Sequence, residues 1–112
     1  MFTFDLEQGV VVFTLSGYVD AGVGKALQER CAALFKEGHL RFVLDFAQTT
    51  VVNSPGLGAV LDLGFRVKDD YRGRLVLTGL DAIKQEVFEV VGVLPMLPLA
   101  ATRQAAVDLA RR

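Results

Sequence analysis

Arg41-Phe42-Val43-Leu44-Asp45-Phe46 is the stretch on which the fold turns. It is short and almost continuously apolar, and a strand without polar alternation is one covered on both faces, as at the parallel centre of an α/β sheet. Asp45, its acidic residue, lies at the exit. From there Ala47 to Asn53 reads as a loop, and Pro55 to Asp70 reads as a helix.

Toward the N-terminus, Phe2, Phe4 and Leu6 alternate with Thr3, Asp5 and Glu7. Gln8-Gly9 then interrupts, and Val10 to Leu15 resumes as a β-branched run, which together predicts a β-hairpin. From Ala21 to Lys36 the period changes to that of a helix, with Val23, Leu27, Cys31 and Leu34 on one face. Asp20 is placed to cap its start and Gly38 to end it.

Toward the C-terminus, Asp62, Arg66, Asp69 and Asp70 form a narrow polar stripe on an otherwise apolar helix. So broad an apolar arc implies burial on several sides, or an exposed patch near the helix start that a partner covers. After the turn Tyr71-Arg72-Gly73, Arg74 to Thr78 predicts a further strand. Asp81 caps a helix running through Val91, with Ile83, Val87 and Val90 as its apolar face and Gly92 as its stop. Leu94-Pro95-Met96-Leu97-Pro98 predicts only a short edge strand, because its prolines cannot donate to a ladder. Thr102 caps a last helix carrying Ala106 and Leu109. The order β-β-α-β-α-β-α-(β)-α predicts a single α/β domain over residues 1–112: a mixed sheet of four to five strands opened by a β-hairpin, with about four helices. Sites in such sheets gather beyond the C-terminal strand ends, here near Asp45, Ser54 and Thr78.

Composition narrows the function. Hydrophobic residues make up 52% of the 112 residues and charged ones 22%, which is the make-up of a folding chain. Twelve Lys and Arg against 13 Asp and Glu leave a net charge of −1, with no basic block longer than Arg111-Arg112, so nucleic acid is not an expected partner. No basic-then-apolar leader opens the chain and no apolar run approaches the roughly 20 residues that span a bilayer. A cytoplasmic protein without direct membrane insertion is expected. The single cysteine, Cys31, forms no internal disulfide and reads as a small core residue. A mean hydropathy of +0.39 and eight Phe suggest that some apolar surface is kept for a partner.

The chemical inventory argues against catalysis. His39 is the only histidine and sits in a turn after Gly38, a poor base for a Ser-His-Asp or Cys-His arrangement. One His and one Cys supply no zinc ligand set. Asp69 and Asp70 are adjacent on a helix and do not face each other. Gly24-Lys25 lacks the earlier glycine and the following Ser or Thr of a phosphate loop, and Gly56-Leu57-Gly58 lacks the third glycine of a dinucleotide fingerprint, where Leu61 stands. No cofactor, metal site or catalytic residue is expected.

Ser54 remains. Ser is a favoured N-cap and Pro55 suits the first helical position, so a capping role accounts for both. Capping alone does not require Gly56 and Gly58 straight afterwards, since glycine weakens a helix. A serine at a helix N-terminus beyond a strand end, flanked by glycines, is accessible to a kinase and pre-set to hold a phosphate.

At these residues the sequence resembles the STAS domain family, whose best-known members are bacterial anti-sigma factor antagonists. The resemblance runs through Leu15-Ser16-Gly17-Tyr18-Val19-Asp20, Phe42 to Phe46, Asn53 to Gly58 and Gly73 to Leu80. It implies that Ser54 is the phosphorylated serine, with Asp20 near it. It further implies a partner-binding surface of Asp20, Asn53, Ser54, Pro55, Gly56, Leu57 and Gly58. The implied partners are an anti-sigma factor that is also a serine kinase, whose binding ends on phosphorylation, and a serine phosphatase that restores it; a homodimer is left open. The family's loop typically reads Asp-Ser-Ser-Gly-Leu-Gly, and this chain departs from it at Asn53 and Pro55. Those departures favour a second reading, a non-switching STAS subunit of a larger assembly such as a stressosome-like scaffold or a lipid-transport ATPase complex.

Overall fold

A computed structural model describes residues 1–112. Five strands form one sheet in the order β1-β2-β3-β4-β5: Phe2–Glu7, Val10–Val19, Arg41–Val52, Arg74–Thr78 and Leu99–Ala100. β1 and β2 pair antiparallel as the expected hairpin, and every later pair is parallel. The helices are α1 (Ala21–Lys36), α2 (Ser54–Phe65), α3 (Ala82–Val90), a single turn α4 (Val93–Met96) and α5 (Arg103–Arg111). α2 continues into a π-helical turn at Arg66–Asp70.

The apolar run at Arg41 to Phe46 is buried on both sides, as its lack of alternation requires. Phe42, Leu44 and Phe46 join Val11, Phe13, Leu15, Leu75 and Leu77 against α1 and α2, with Leu27, Cys31, Leu57 and Leu63 facing them. Val43 joins Val10, Val12 and Val76 on the opposite side, under Ala106, Val107 and Ala110 of α5. Asp45 also meets α5. Its carboxylate accepts from the Arg103 guanidinium at 3.2 Å, and Arg103 reaches on to Thr14 at 2.8 Å and Glu7 at 2.7 Å. One side chain at the start of α5 thus ties three strands together.

Four expectations are corrected. Ala47 to Asn53 is not a loop, because β3 runs to Val52 alongside a β2 that runs to Val19. The β-branched Thr49, Thr50, Val51 and Val52 favour extension, but β3 carries one extra residue between the pairs Thr14↔Asp45 and Ser16↔Gln48, and another between Gly17↔Thr49 and Tyr18↔Val51. Such bulges blur the alternation by which a strand is read. Leu94 to Pro98 is not the edge strand either. Pro95 sits within the single turn of α4, where proline is tolerated, and the strand begins after Pro98, pairing Leu99 with Leu77 and Ala100 with Thr78.

The third correction concerns α3. Ile83, Val87 and Val90 face solvent, and the buried residue of the helix is Phe88, edge-on to Phe46 at 5.4 Å. Periodicity identified a stripe but not which side of the helix the sheet would take. The fourth is the cap of α2, described next.

Candidate functional site

The strand ends build the site. Val19 pairs with Val52, so Asp20 and Asn53 leave adjacent parallel strands side by side. Each is a helix cap: Asp20 Oδ1 accepts from Val23 N at 2.9 Å to start α1, and Asn53 Oδ1 accepts from Gly56 N at 2.8 Å to start α2. Ser54 is therefore the first helical residue and not the cap, since Asn53 already has the extended backbone and the short acceptor that the position needs. Its side chain takes no part in the hydrogen bonds of this corner and is exposed. The capping duty that competed with a functional reading of Ser54 falls on its neighbour.

The glycines have separate duties. A Cβ on Gly56 would lie 2.4 Å from the Val19 carbonyl oxygen, and one on Gly24 would lie 2.3 Å from Ala59 Cβ. These two positions let α2 press against the end of β2 and against α1, which Gln28 reinforces by donating to Ala59 O at 3.0 Å. Around Gly58 there is open space and solvent. Of the expected surface, Asp20, Ser54, Pro55 and Gly58 are exposed, Asn53 is half-buried, and Gly56 and Leu57 are buried beneath it. Gly56 and Leu57 thus shape the site from below.

A further expectation is corrected: the start of α2 is not pre-set to hold a phosphate, because it has little left for an anion. Of its first amides, Gly56 N–H is held by Asn53, Leu57 N–H donates to Asn53 O at 2.8 Å, and Pro55 has none. Only the Ser54 N–H of that turn is unclaimed, and the Asp20 carboxylate at the neighbouring strand end has the sign of a phosphate.

Two residues of β3 shape its approach to the site: Asp45, expected near it from its place at the strand exit, and Thr49, which the sequence did not single out. Asp45 Oδ1 accepts from Ala47 N at 3.0 Å and Thr49 Oγ1 donates to Phe46 O at 2.7 Å, which satisfies the backbone freed by the first bulge. A carboxylate followed by a β-branched hydroxyl residue four positions later was the available signal, and it is too common to be read alone.

Elsewhere the chemistry is quiet. Burial pushes the Cys31 thiol up to about 12, so it stays protonated at neutral pH. No three His, Cys, Asp or Glu side chains gather as a metal site, and no helix is long and apolar enough to cross a membrane.

A small mixed sheet flanked by helices, with an exposed serine opening the helix after its central strand, defines a class. The chain belongs to the STAS domain family, whose sequence model matches residues 2–106. It is similar to BtrV of Bordetella bronchiseptica, named as a candidate anti-sigma factor antagonist, with 34% identity over 104 residues that cover 93% of this chain and 89% of that protein. Its fold is that of an anti-sigma factor antagonist from Mycobacterium paratuberculosis (TM-score 0.83, 18% identity, 100% and 94% of the two chains). The Bacillus cell fate determinant SpoIIAA, in its phosphorylated form, also shares it (TM-score 0.73, 22% identity, 97% and 98% of the two chains).

Proposed function

We propose that this protein is an anti-sigma factor antagonist that binds a partner through the corner formed by Asp20, Asn53, Ser54, Pro55 and Gly58, with Gly56 and Leu57 supporting it. The observation that carries the reading is the release of Ser54 from capping: the hydroxyl is exposed at the first turn of α2 while Asn53 holds the helix start. The partner is an anti-sigma factor with serine kinase activity, and phosphorylation of Ser54 ends the contact. A phosphate there adds about −1.5 to −2 charges at the centre of the surface. With one free amide and a carboxylate at the adjacent strand end, the helix start compensates little of that charge, and a partner that covers it must desolvate it, so binding is weakened. A phosphatase reverses the switch, and the setting is cytoplasmic.

The test is incubation with the cognate anti-sigma kinase and ATP, read by intact mass for wild type and Ser54→Ala. Wild type gains the mass of one phosphate and loses affinity for the kinase; Ser54→Ala gains none and keeps its affinity. An unmodified wild type that still binds would favour the second reading, a non-switching STAS subunit. Pro55 supports that second reading, because it removes an amide that could have bonded the phosphate.

A further inference from the structure

The two outer edges of the sheet differ. β5 is two residues long and follows Pro98, whereas β1 has six residues, no proline, no lysine and no bulge in its pairing with β2. An edge left so regular is open to a further strand. One hydrogen bond fixes which of its backbone groups are free: Ser16 N–H donates to Met1 O at 3.0 Å, beside the Phe2↔Leu15 pair. Bonded and non-bonded pairs alternate along an antiparallel ladder, so Thr3, Asp5 and Glu7 turn their backbone groups to β2, and Phe2, Phe4 and Leu6 turn theirs outward. On the α1 side of this edge Leu6 is 62% exposed and Phe4 40%. A hollow lined by Phe2, Ala26, Glu29, Arg30 and Ala33 opens beside them.

This edge is complementary to itself. Phe2-Thr3-Phe4-Asp5-Leu6 is apolar on one face and polar on the other, and the pattern is symmetric about Phe4. Two antiparallel copies centred there bring every outward backbone group into a ladder. Phe2 of one copy opposes Leu6 of the other and Phe4 opposes Phe4, each pair exchanging both N–H···O bonds. Leu6 of one copy then covers Phe2 of the other beside the hollow under α1, and on the opposite face Asp5 meets the hydroxyl donor of Thr3. Moving the centre to Asp5 sets two aspartates against each other, and moving it to Thr3 carries Leu6 past the end of β1 at Phe2. We propose that the outer edge of β1 pairs with the same edge of a second copy, centred on Phe4, so that two sheets join through an isologous two-fold contact. Ser54 follows β3, two strands inward from this edge, so the contact does not depend on the reading of that site.

The test combines sedimentation velocity of the full chain, from about 5 to 500 μM as so small a contact requires, with disulfide trapping. Wild type moves from monomer toward dimer as its concentration rises. Leu6→Pro removes only an outward N–H and an exposed side chain, so it stays folded, as thermal unfolding checks, and stays monomeric. Leu6→Lys, which keeps the N–H but would have to desolvate a charge, weakens the dimer at least about tenfold. Trapping reads the register. With Phe4 at the centre, Thr3 of one copy faces Asp5 of the other, so Thr3→Cys mixed with Asp5→Cys yields a disulfide-linked dimer under mild oxidation. Neither variant yields one alone, because like positions then sit diagonally, beyond disulfide reach. Buried Cys31 adds no background. A wild type that stays monomeric throughout, a dimer that survives both Leu6 variants, or trapping by either cysteine variant alone overturns the proposal.

Discussion

The backbone N–H of Asn53 donates to the Val19 carbonyl oxygen at 3.0 Å, and a side chain on Gly56 would strike that same oxygen. One carbonyl at the end of β2 therefore fixes both the cap of α2 and how closely its first turn approaches. Because Val19 also precedes the cap of α1, the two helices that frame Ser54 start from a shared anchor.

Gly56 and Gly58 are expected to respond in opposite directions to alanine. Gly56→Ala meets backbone at 2.4 Å and should cost about 1–3 kcal/mol while displacing Ser54. Gly58→Ala enters open space within a helix and should stabilise by about 0.5–1 kcal/mol. Urea denaturation of both variants checks the contrast, and equal effects would contradict the close approach at Val19.

Removing the cap of α2 by Asn53→Ala should cost about 1 kcal/mol in the same measurement. Asn53→Asp keeps an acceptor for Gly56 N–H and places a negative charge at a helix N-terminus, so its stability should equal or exceed wild type by a few tenths of a kcal/mol or more. The same charge opposes a phosphate on Ser54. In kinase assays Asn53→Asp should be modified more slowly than wild type although it is no less stable.

Arg103 is the tie between α5 and the strands. Arg103→Ala leaves the mostly buried Asp45 carboxylate without its cation and frees Glu7. The cluster is partly solvated, so a loss of about 2 kcal/mol is expected, less than for a fully buried pair. Arg103→Lys should recover only part of it, because one ammonium cannot reproduce a fork that reaches Glu7, Thr14 and Asp45 together. Full recovery by lysine would show that charge alone matters there.

The side-chain hydrogen bond from Lys84, with the backbone amide beside it, holds the Asp81 carboxyl below the usual carboxylate range. A depressed folded pKa contributes stability above the unfolded value of about 3.9, lost as pH falls through the folded value. Asp81 is exposed, so the effect is local: hydrogen exchange in the first turn of α3 should accelerate at acid pH relative to α1. Asp81→Asn should remove that pH dependence.

Cys31 should resist alkylation by iodoacetamide at pH 8 in the native protein and react once the chain is unfolded in guanidinium, since its thiol is both buried and pushed up to about 12. Native-state modification at a rate near that of free cysteine would mean that α1 opens readily from the sheet.

The sequence by itself determined the central strand, the hairpin, the face of α1 and the position of Ser54 after a strand end. Each is written in local periodicity or in residues whose backbone preferences need no partner. It did not determine that β3 continues past Phe46, because two bulges, held by Asp45, Thr49 and the neighbouring β2, break the alternation that marks a strand. Nor could it separate cap from first residue at Asn53-Ser54, where both types serve as caps and only the Val19 hydrogen bond decides. The same holds for Ile83, Val87 and Val90. A stripe at helical spacing says that something covers it, and only the packing of Phe88 against Phe46 shows that the protein's own core does not.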